Sequence, residues 1–262
     1  LKSNSSYPIL AKEGWGIIGA AIFITLLVWW LIGGFISFIF FVLLVFVIQF
    51  FRDPPRAISQ TPHSVLSGAD GRICKVQKVE NPYTGKEEIL ISTFMNVFNI
   101  HSNRSPIGGT VEAIYYKPGK FLNADLDKAS MENERNAIVI KSDEGPVITC
   151  VQIAGLIARR IICHLHIGQE VTRGERFGFI RFGSRVDIYV PLNSEVLVFV
   201  GQKVRAADTV LALLNPQEEE KPETPAEVPA VEAVEATEVT AAADAAPAAE
   251  PKTTEEKTQQ QA

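Results

Sequence analysis

An unbroken stretch of 38 residues without a charged side chain, positions 14–51, constrains the fold of this chain more than any other feature. As a single helix it would be about 57 Å long at 1.5 Å per residue, whereas the hydrocarbon layer of a bilayer is about 30 Å thick. Gly33 and Gly34 lie near its middle, where a helix can end and turn back. We therefore predict a transmembrane helical hairpin over 14–51, with helices at roughly 15–31 and 35–51.

The charges on either side of this stretch predict its orientation. Lys2 and Lys12 precede it, Arg52 and Arg56 follow it, and the turn carries no charge. By the positive-inside tendency, both ends face the cytoplasm, which makes 1–13 a cytoplasmic N-terminus at the cell (inner) membrane. Two alternatives stay open: one long tilted or re-entrant segment, and a signal peptide. The run is far longer than a signal core, and no clear small-residue cleavage site follows it.

The last 47 residues, 216–262, have a different composition from the rest of the chain. They are rich in Ala, Glu, Pro and Thr, and 12 acids against 3 lysines give them −9 of a total charge of −5. Such a tail cannot bury enough apolar surface to offset the entropy of ordering, so we expect it to be disordered. The remainder is only +4, which disfavours a nucleic-acid binder. Three scattered cysteines suit neither a zinc site nor a disulfide framework.

Residues 52–215 remain as one domain of mostly β structure. Its apolar residues come in short β-branched runs between Gly, Asn, Pro and charged turns, at the spacing of a small β barrel or sandwich. The pattern apolar-Gly-x-x-Val-x-x-small-acid occurs at 167–177 and again 33 residues later at 200–210. It resembles the hammerhead turns of lipoyl-type domains, in which two quasi-symmetric halves close one barrel. The fold we predict is this barrel, preceded by an α-helical membrane hairpin.

Several polar residues could carry chemistry, although each is a weak signal alone. His164 and His166 could share one face of a strand, but with no third ligand nearby we favour a surface or packing role and expect no metal. Asp70 lies between glycines, His101 ends an apolar stretch, and Gly183-Ser184 is one Gly-Ser pair of a kind expected by chance. Together, Asp, His and Ser are the ingredients of a nucleophile, its base and the group that orients the base.

The segments around these residues carry a family resemblance. They read Ala-Asp-Gly-Arg-Ile at 69–73, Phe-Asn-Ile-His-Ser-Asn-Arg at 98–104, and two longer runs at 154–161 and 174–189. In this order they resemble the short, membrane-anchored form of the phosphatidylserine decarboxylase proenzymes. The resemblance covers most of 8–214 and omits the tail.

The resemblance implies a proenzyme that cuts itself between Gly183 and Ser184. Ser184 would attack the preceding carbonyl with His101 as base and Asp70 fixing the tautomer of that base. Elimination and hydrolysis would then turn Ser184 into a covalent pyruvoyl group, the cofactor, at the start of a new chain. The activity implied is decarboxylation of phosphatidylserine to phosphatidylethanolamine in phospholipid biosynthesis, with the bilayer and the enzyme's own α and β chains as partners.

The resemblance leaves some residue roles open. Long-form relatives carry a further His three positions before the base, thought to act in decarboxylation, and Phe98 stands there in this chain. The proton donor is therefore His101 or a water. Charge alone suggests five partners for the lipid phosphate: Arg104, Arg159, Arg160, Arg181 and Arg185.

Two other functions stay open at this point. One is a non-enzymatic membrane-tethered adaptor built on a lipoyl-like barrel, although the chain has no heptad stretch for the long helical hairpin usual in such adaptors. The other is the same decarboxylation of a related serine head group. A homo-oligomer also stays open.

Overall fold

A computed structural model describes residues 8–119, 132–155, 160–181 and 183–215 of the chain. The predictions for the tail at 216–262 and for Arg159 lie outside these residues.

The apolar stretch forms the expected pair of helices. Helix α1 spans Trp15–Leu31 and helix α2 spans Gly34–Phe50, and they pack side by side. Gly33 and Gly34 have φ of +61° and +65° in the turn, a left-handed conformation that suits glycine. The predicted helix pair is thus confirmed.

Most of the large side chains on both helices face outward. Trp29, Trp30 and Phe35 are between 67% and 80% exposed. The segment Lys12–Leu31 is long and apolar enough to cross a membrane, whereas α2 is shorter at 17 residues. So much exposed apolar surface is unfavourable in water and is consistent with membrane association. A bilayer crossing stays a prediction.

The rest of the described chain is mostly β structure, as predicted. Its fourteen described strands are β1 Ser64–Leu66, β2 Gly71–Glu80, β3 Glu87–Met95, β4 Ser102–Arg104, β5 Gly109–Lys117, β6 Arg135–Ser142, β7 Val147–Ala154, β8 Ile161–Cys163, β9 Glu170–Val171, β10 Arg176–Ile180, β11 Ser184–Pro191, β12 Glu195–Val196, β13 Lys203–Val204 and β14 Val210–Leu213. Eight strands form one curled antiparallel sheet in the order β13-β2-β3-β11-β7-β6-β5-β9. Two three-stranded sheets, β1-β14-β12 and β4-β10-β8, complete the domain.

Strand β11 lies at the centre of the large sheet and is buried almost throughout. Its neighbouring side chains alternate between the two faces, as strand geometry requires. Val186, Ile188 and Val190 pack in the main hydrophobic core, whereas Tyr189 belongs to a smaller cluster on the other face. The β-branched runs of the sequence therefore build a central strand covered on both sides.

The repeated sequence pattern forms two equivalent turns. The N–H groups of Gly168 and Gly201 donate to the carbonyls of Val111 and Ile73, respectively. Further along, Gly174 and Ala207, again 33 positions apart, both have positive φ, at +77° and +64°. The two quasi-symmetric hammerhead halves predicted from the sequence are thus present.

A buried ionic network fastens both ends of the helix pair to the β domain. Arg176 donates to Asp53, which follows α2, at 2.5 Å and to both oxygens of Glu13, which precedes α1, at 3.0 and 2.9 Å. Asp53 also accepts from Ser102 at 2.9 Å and from Arg104 at 3.5 Å. All these charged side chains are less than one tenth exposed, so losing one partner would leave a buried charge uncompensated.

Candidate active site

Ser184 is the first residue of the central strand β11. It pairs with Met95, the last residue of β3, and with Ala154, the last residue of β7. The side chain is fully buried, and its hydroxyl donates to the sulfur of Met95 at 3.3 Å. The folded sheet thus fixes the backbone of Ser184 through pairing on both sides.

Gly183, the residue before Ser184, is held through both its carbonyl and its N–H. The carbonyl oxygen of Gly183 accepts a hydrogen bond from the N–H of Gly155 at 3.0 Å, one step beyond the Ser184–Ala154 pair. The N–H of Gly183 donates to Nε2 of His101 at 3.3 Å. Gly183 has φ of +70°, and a Cβ there would meet nothing within 4 Å. Glycine is therefore suited to this position by its backbone conformation and not by lack of space.

His101 is oriented as a proton acceptor. Its Nδ1 lies 3.0 Å from the carbonyl oxygen of Asn99, which can only accept, so Nδ1 carries the proton and Nε2 presents its lone pair. The imidazole is fully buried, 4.4 Å from the ring of Phe50 between centroids and 6.4 Å from that of Phe179. Burial, together with the positive charge of Arg52, lowers the pKa of His101 from 6.5 to about 4 against the opposing effect of the Asn99 carbonyl. His101 is therefore neutral at physiological pH.

Asp70 does not take the position that we predicted for it. One carboxylate oxygen accepts from the guanidinium of Arg56 at 2.5 Å, and the other accepts from the N–H of Ala206 at 2.8 Å. The bond that fixes the tautomer of His101 comes from Asn99 instead. A main-chain carbonyl in a short loop can reach Nδ1 from two residues away, whereas Asp70 is drawn to a cation. The predicted role of Asp70 as orienter of the base stays a prediction.

The structure divides the arginines predicted to bind phosphate. Arg104 is 6% exposed and pairs with Asp53, and Arg185 is 1% exposed and pairs with Asp187 at 2.8 Å. Both guanidinium groups are thus committed inside the domain, and we withdraw them as lipid ligands. Arg181 donates to the main-chain carbonyl of Glu13 at 2.9 Å. Arg160 is exposed and therefore remains a candidate ligand of the lipid phosphate.

The histidine pair singled out in the sequence lies apart from this arrangement. His164 and His166 are both exposed, and His164 contacts Glu13 through Nε2 at 3.0 Å. His164 thus adds a hydrogen bond to Glu13 beside the contacts of Arg176.

Three contributors to the site escape sequence reasoning. Gly155 reaches Gly183 only through the pairing of β7 with β11, and Asn99 acts through its main chain, so neither side chain signals its part. Arg52 reads in the sequence as a flanking charge of the helices. Its guanidinium donates to the carbonyl of Phe98 at 2.8 Å, within the loop that precedes His101.

Taken together, these groups surround one peptide bond with the elements of acyl transfer. A serine follows the bond, a neutral base is one residue away, and an N–H donor already lies on the carbonyl oxygen. Such a donor stabilises the negative charge that develops when a nucleophile adds to the carbonyl. The arrangement is therefore suited to attack by the chain on its own backbone.

Comparison with known proteins identifies the family of the chain. The family model described as phosphatidylserine decarboxylase matches residues 43–212. A phosphatidylserine decarboxylase proenzyme of Nitrosomonas europaea is 55% identical over 206 residues, covering 79% of this chain and 95% of the relative. Proenzymes of the same name from Ralstonia pickettii and Burkholderia pseudomallei are each 54% identical, covering 81% and 82% of this chain and 100% and 99% of the relatives.

Proposed function

Because the chain belongs to the phosphatidylserine decarboxylase family, we propose that it matures by cutting itself between Gly183 and Ser184 and then converts phosphatidylserine to phosphatidylethanolamine and CO2. The family membership makes it an enzyme and a proenzyme and removes the adaptor alternative. One observation carries the self-cleavage: the 183–184 peptide group has a donor on its carbonyl oxygen and the neutral base His101 on the preceding N–H.

In the first step, Ser184 becomes a nucleophile. Its hydroxyl turns from Met95 toward the Gly183 carbonyl carbon as Nε2 of His101 takes the hydroxyl proton. The new C–O bond forms, the oxyanion is stabilised by the Gly155 N–H, and the C–N bond breaks as the nitrogen receives the proton. An ester between Gly183 and Ser184 replaces the amide.

In the second step, His101 removes the α-proton of Ser184. The bond between Cβ and Oγ of Ser184 breaks, so Gly183 leaves as a carboxylate that keeps Oγ. The dehydroalanine that remains tautomerises to an imine, which water hydrolyses with loss of ammonia. Ser184 thereby becomes a pyruvoyl group, and the chain becomes a β chain ending at Gly183 and an α chain starting at position 184. The contacts around Ser184 fit this origin, since its backbone is held by two strands and its neighbours supply the base and the donor.

The pyruvoyl group supplies a carbonyl that holds the amine of the substrate and accepts the electron pair left behind by CO2. Phe98 is 64% exposed and its ring can give no proton to the product. The proton therefore comes from His101 or from a water. Arg160 is the exposed cation that we assign to the lipid phosphate.

We place the enzyme in the cell (inner) membrane with the β domain on the cytoplasmic side. Support comes from the exposed apolar helix pair and from the cations Lys12, Arg52 and Arg56 at its two ends, set against an uncharged turn. This placement keeps the acyl chains of the substrate in lipid while its head group reaches the domain.

The intact mass of the detergent-purified protein, measured under denaturing conditions, tests the proposal. We expect two chains separated after Gly183, with a carbonyl in place of the amine at the start of the second. Ser184→Ala should give one uncut chain without decarboxylase activity. The control is Ser92→Ala, since Ser92 is an equally buried serine in the same sheet, and it should mature normally. A wild-type protein that stays as one chain of 28.8 kDa would count against self-cleavage.

A further inference from the structure

The carboxyl end of helix α2 contacts the loop that carries the catalytic base. The carbonyl of Phe98 accepts hydrogen bonds from Nη2 of Arg52 at 2.8 Å and from Nε2 of Gln49 at 3.4 Å. The ring of Phe98 packs edge-on against Phe46, with centroids 6.2 Å apart. His101 follows three residues later. The end of α2 and the residue that follows it thus contact both the backbone and the side chain of Phe98.

Hydrogen bonds within this loop, residues 96–101, connect its residues to one another. Asn99 donates its N–H to the carbonyl of Asn96 at 3.0 Å, and its side-chain oxygen accepts the N–H of Asn96 at 2.9 Å. The side-chain oxygen of Asn96 accepts the N–H of Phe98 at 2.9 Å. Because the Phe98 carbonyl and the Asn99 N–H belong to one peptide group, a force on that carbonyl reaches Asn99. The next carbonyl, that of Asn99, fixes Nδ1 of His101.

Arg52 is itself held firmly enough to serve as a support. Its Nη1 donates to the carbonyl of Gln49 at 2.7 Å, one of the carbonyls that a helix leaves unpaired at its end. Its backbone forms a β-bridge with Leu10. The guanidinium thus joins the end of α2 to the loop in one rigid fork.

We propose that Arg52 is a positioning residue for His101, holding the 96–101 loop so that Nε2 stays on the Gly183 amide in self-cleavage. The inference rests on the proposed function and adds to it a residue that acts through the base and not on the substrate. It makes the end of the membrane helix pair part of the catalytic site.

The charge of Arg52 provides a readout that a merely structural role would not change. The positive charge of Arg52 acts on His101 and disfavours the imidazolium. The charges of Asp70 and Arg56 act on Arg52 in opposite directions, and these two residues form an ion pair with each other. Removing Arg52 should therefore both loosen the base and make it easier to protonate.

The experiment is pulse-chase of the full chain synthesised into phospholipid nanodiscs, with the cleavage rate followed across pH. We expect Arg52→Ala to cleave at least about tenfold more slowly and to lose activity at a higher pH than wild type. Arg52→Lys keeps a cation and a donor, and should restore the wild-type pH midpoint and part of the rate. Arg72→Ala is the control, since Arg72 is an exposed arginine that also binds a carbonyl, that of Gly201, and it should behave as wild type.

The outcomes separate this inference from the proposed function. An unchanged pH midpoint in Arg52→Ala would overturn the positioning role, whether the cleavage rate falls or stays the same. Cleavage absent from wild type and from Arg72→Ala would instead refute self-cleavage. Thermal unfolding of Arg52→Ala in an uncut Ser184→Ala background checks that the variant folds, and Arg52→Lys keeps the test decisive if it does not.

Discussion

The ring of Phe50 lies over the imidazole of His101, with centroids 4.4 Å apart and planes inclined by 37°. Phe50 is the last residue of α2, and with Phe51 and Phe179 it forms a buried cluster. The apolar helix pair therefore supplies part of the surface that keeps water from the base and keeps the base neutral.

This contact predicts the pH dependence of self-cleavage. Because only neutral His101 can accept the hydroxyl proton, cleavage in wild type should hold its rate as the pH falls through 6.5 and decline near the lowered pKa of about 4. Phe50→Ala admits water, stabilises the imidazolium and should move the midpoint up toward 6.5. Pulse-chase at a series of pH values measures this midpoint of cleavage.

The matched control for this substitution is Phe41→Ala. Phe41 lies on the same helix but is 54% exposed, so its loss should leave the midpoint in place. Equal midpoints for Phe50→Ala and wild type would show that burial by the helix does not set the charge of His101.

A second prediction concerns the N–H of Gly155. Removing the one donor observed on the Gly183 carbonyl should slow cleavage about 10²–10³-fold, the usual cost of losing an oxyanion donor. Gly155→Pro removes the N–H, whereas Gly155→Ala retains it and serves as the control. An ester bond in place of the 154–155 amide removes only the N–H and excludes effects of the proline ring. Normal cleavage of the ester variant would assign the oxyanion to another donor.

A third prediction separates backbone strain from catalysis at Gly183. Both Gly183, at φ +70°, and Gly145, at φ +105°, have room for a Cβ, so alanine at either should cost about 1–2 kcal/mol of folding free energy through strain alone. Only Gly183→Ala should also slow cleavage, because it reorients the carbonyl to be attacked. Denaturant unfolding of each variant in the Ser184→Ala background gives the folding free energy. Pulse-chase of each variant with Ser184 intact gives the cleavage rate. Equal cleavage rates in both alanine variants would be the contrary result.

A fourth prediction follows from the contact of Asp70 with Arg56. If Asp70 acts through Arg56, the two substitutions Asp70→Ala and Arg56→Ala should be non-additive in unfolding free energy, with a coupling of about 0.5–3 kcal/mol. They should also slow cleavage to a similar extent. Cleavage abolished by Asp70→Asn but unaffected by Arg56→Ala would instead support Asp70 as the orienter of His101.

The sequence predicts those parts of the fold that depend on local pattern. The uncharged run with its two glycines determines the helix pair, and the repeat at 167–177 and 200–210 predicts the two hammerhead turns. The contributions of Gly155 and Asn99 come from main-chain atoms, and strand pairing or loop geometry brings them to the site. No side-chain pattern encodes such contacts, and for the same reason the contact of Asp70 with the N–H of Ala206 could not be predicted.

The order of the large sheet decides what self-cleavage leaves behind. Strand β11 lies between β3 and β7, β13 pairs with β2, and β14 pairs with β1, so the segment after Ser184 contributes strands to two sheets whose other members precede the cut. Severing one covalent bond therefore produces two polypeptides that remain interlocked, separable only by unfolding the domain. The proposed maturation would change the chemistry at one strand end while the architecture around it persists, and the apolar helix pair in one fragment would hold the other wherever that pair is anchored.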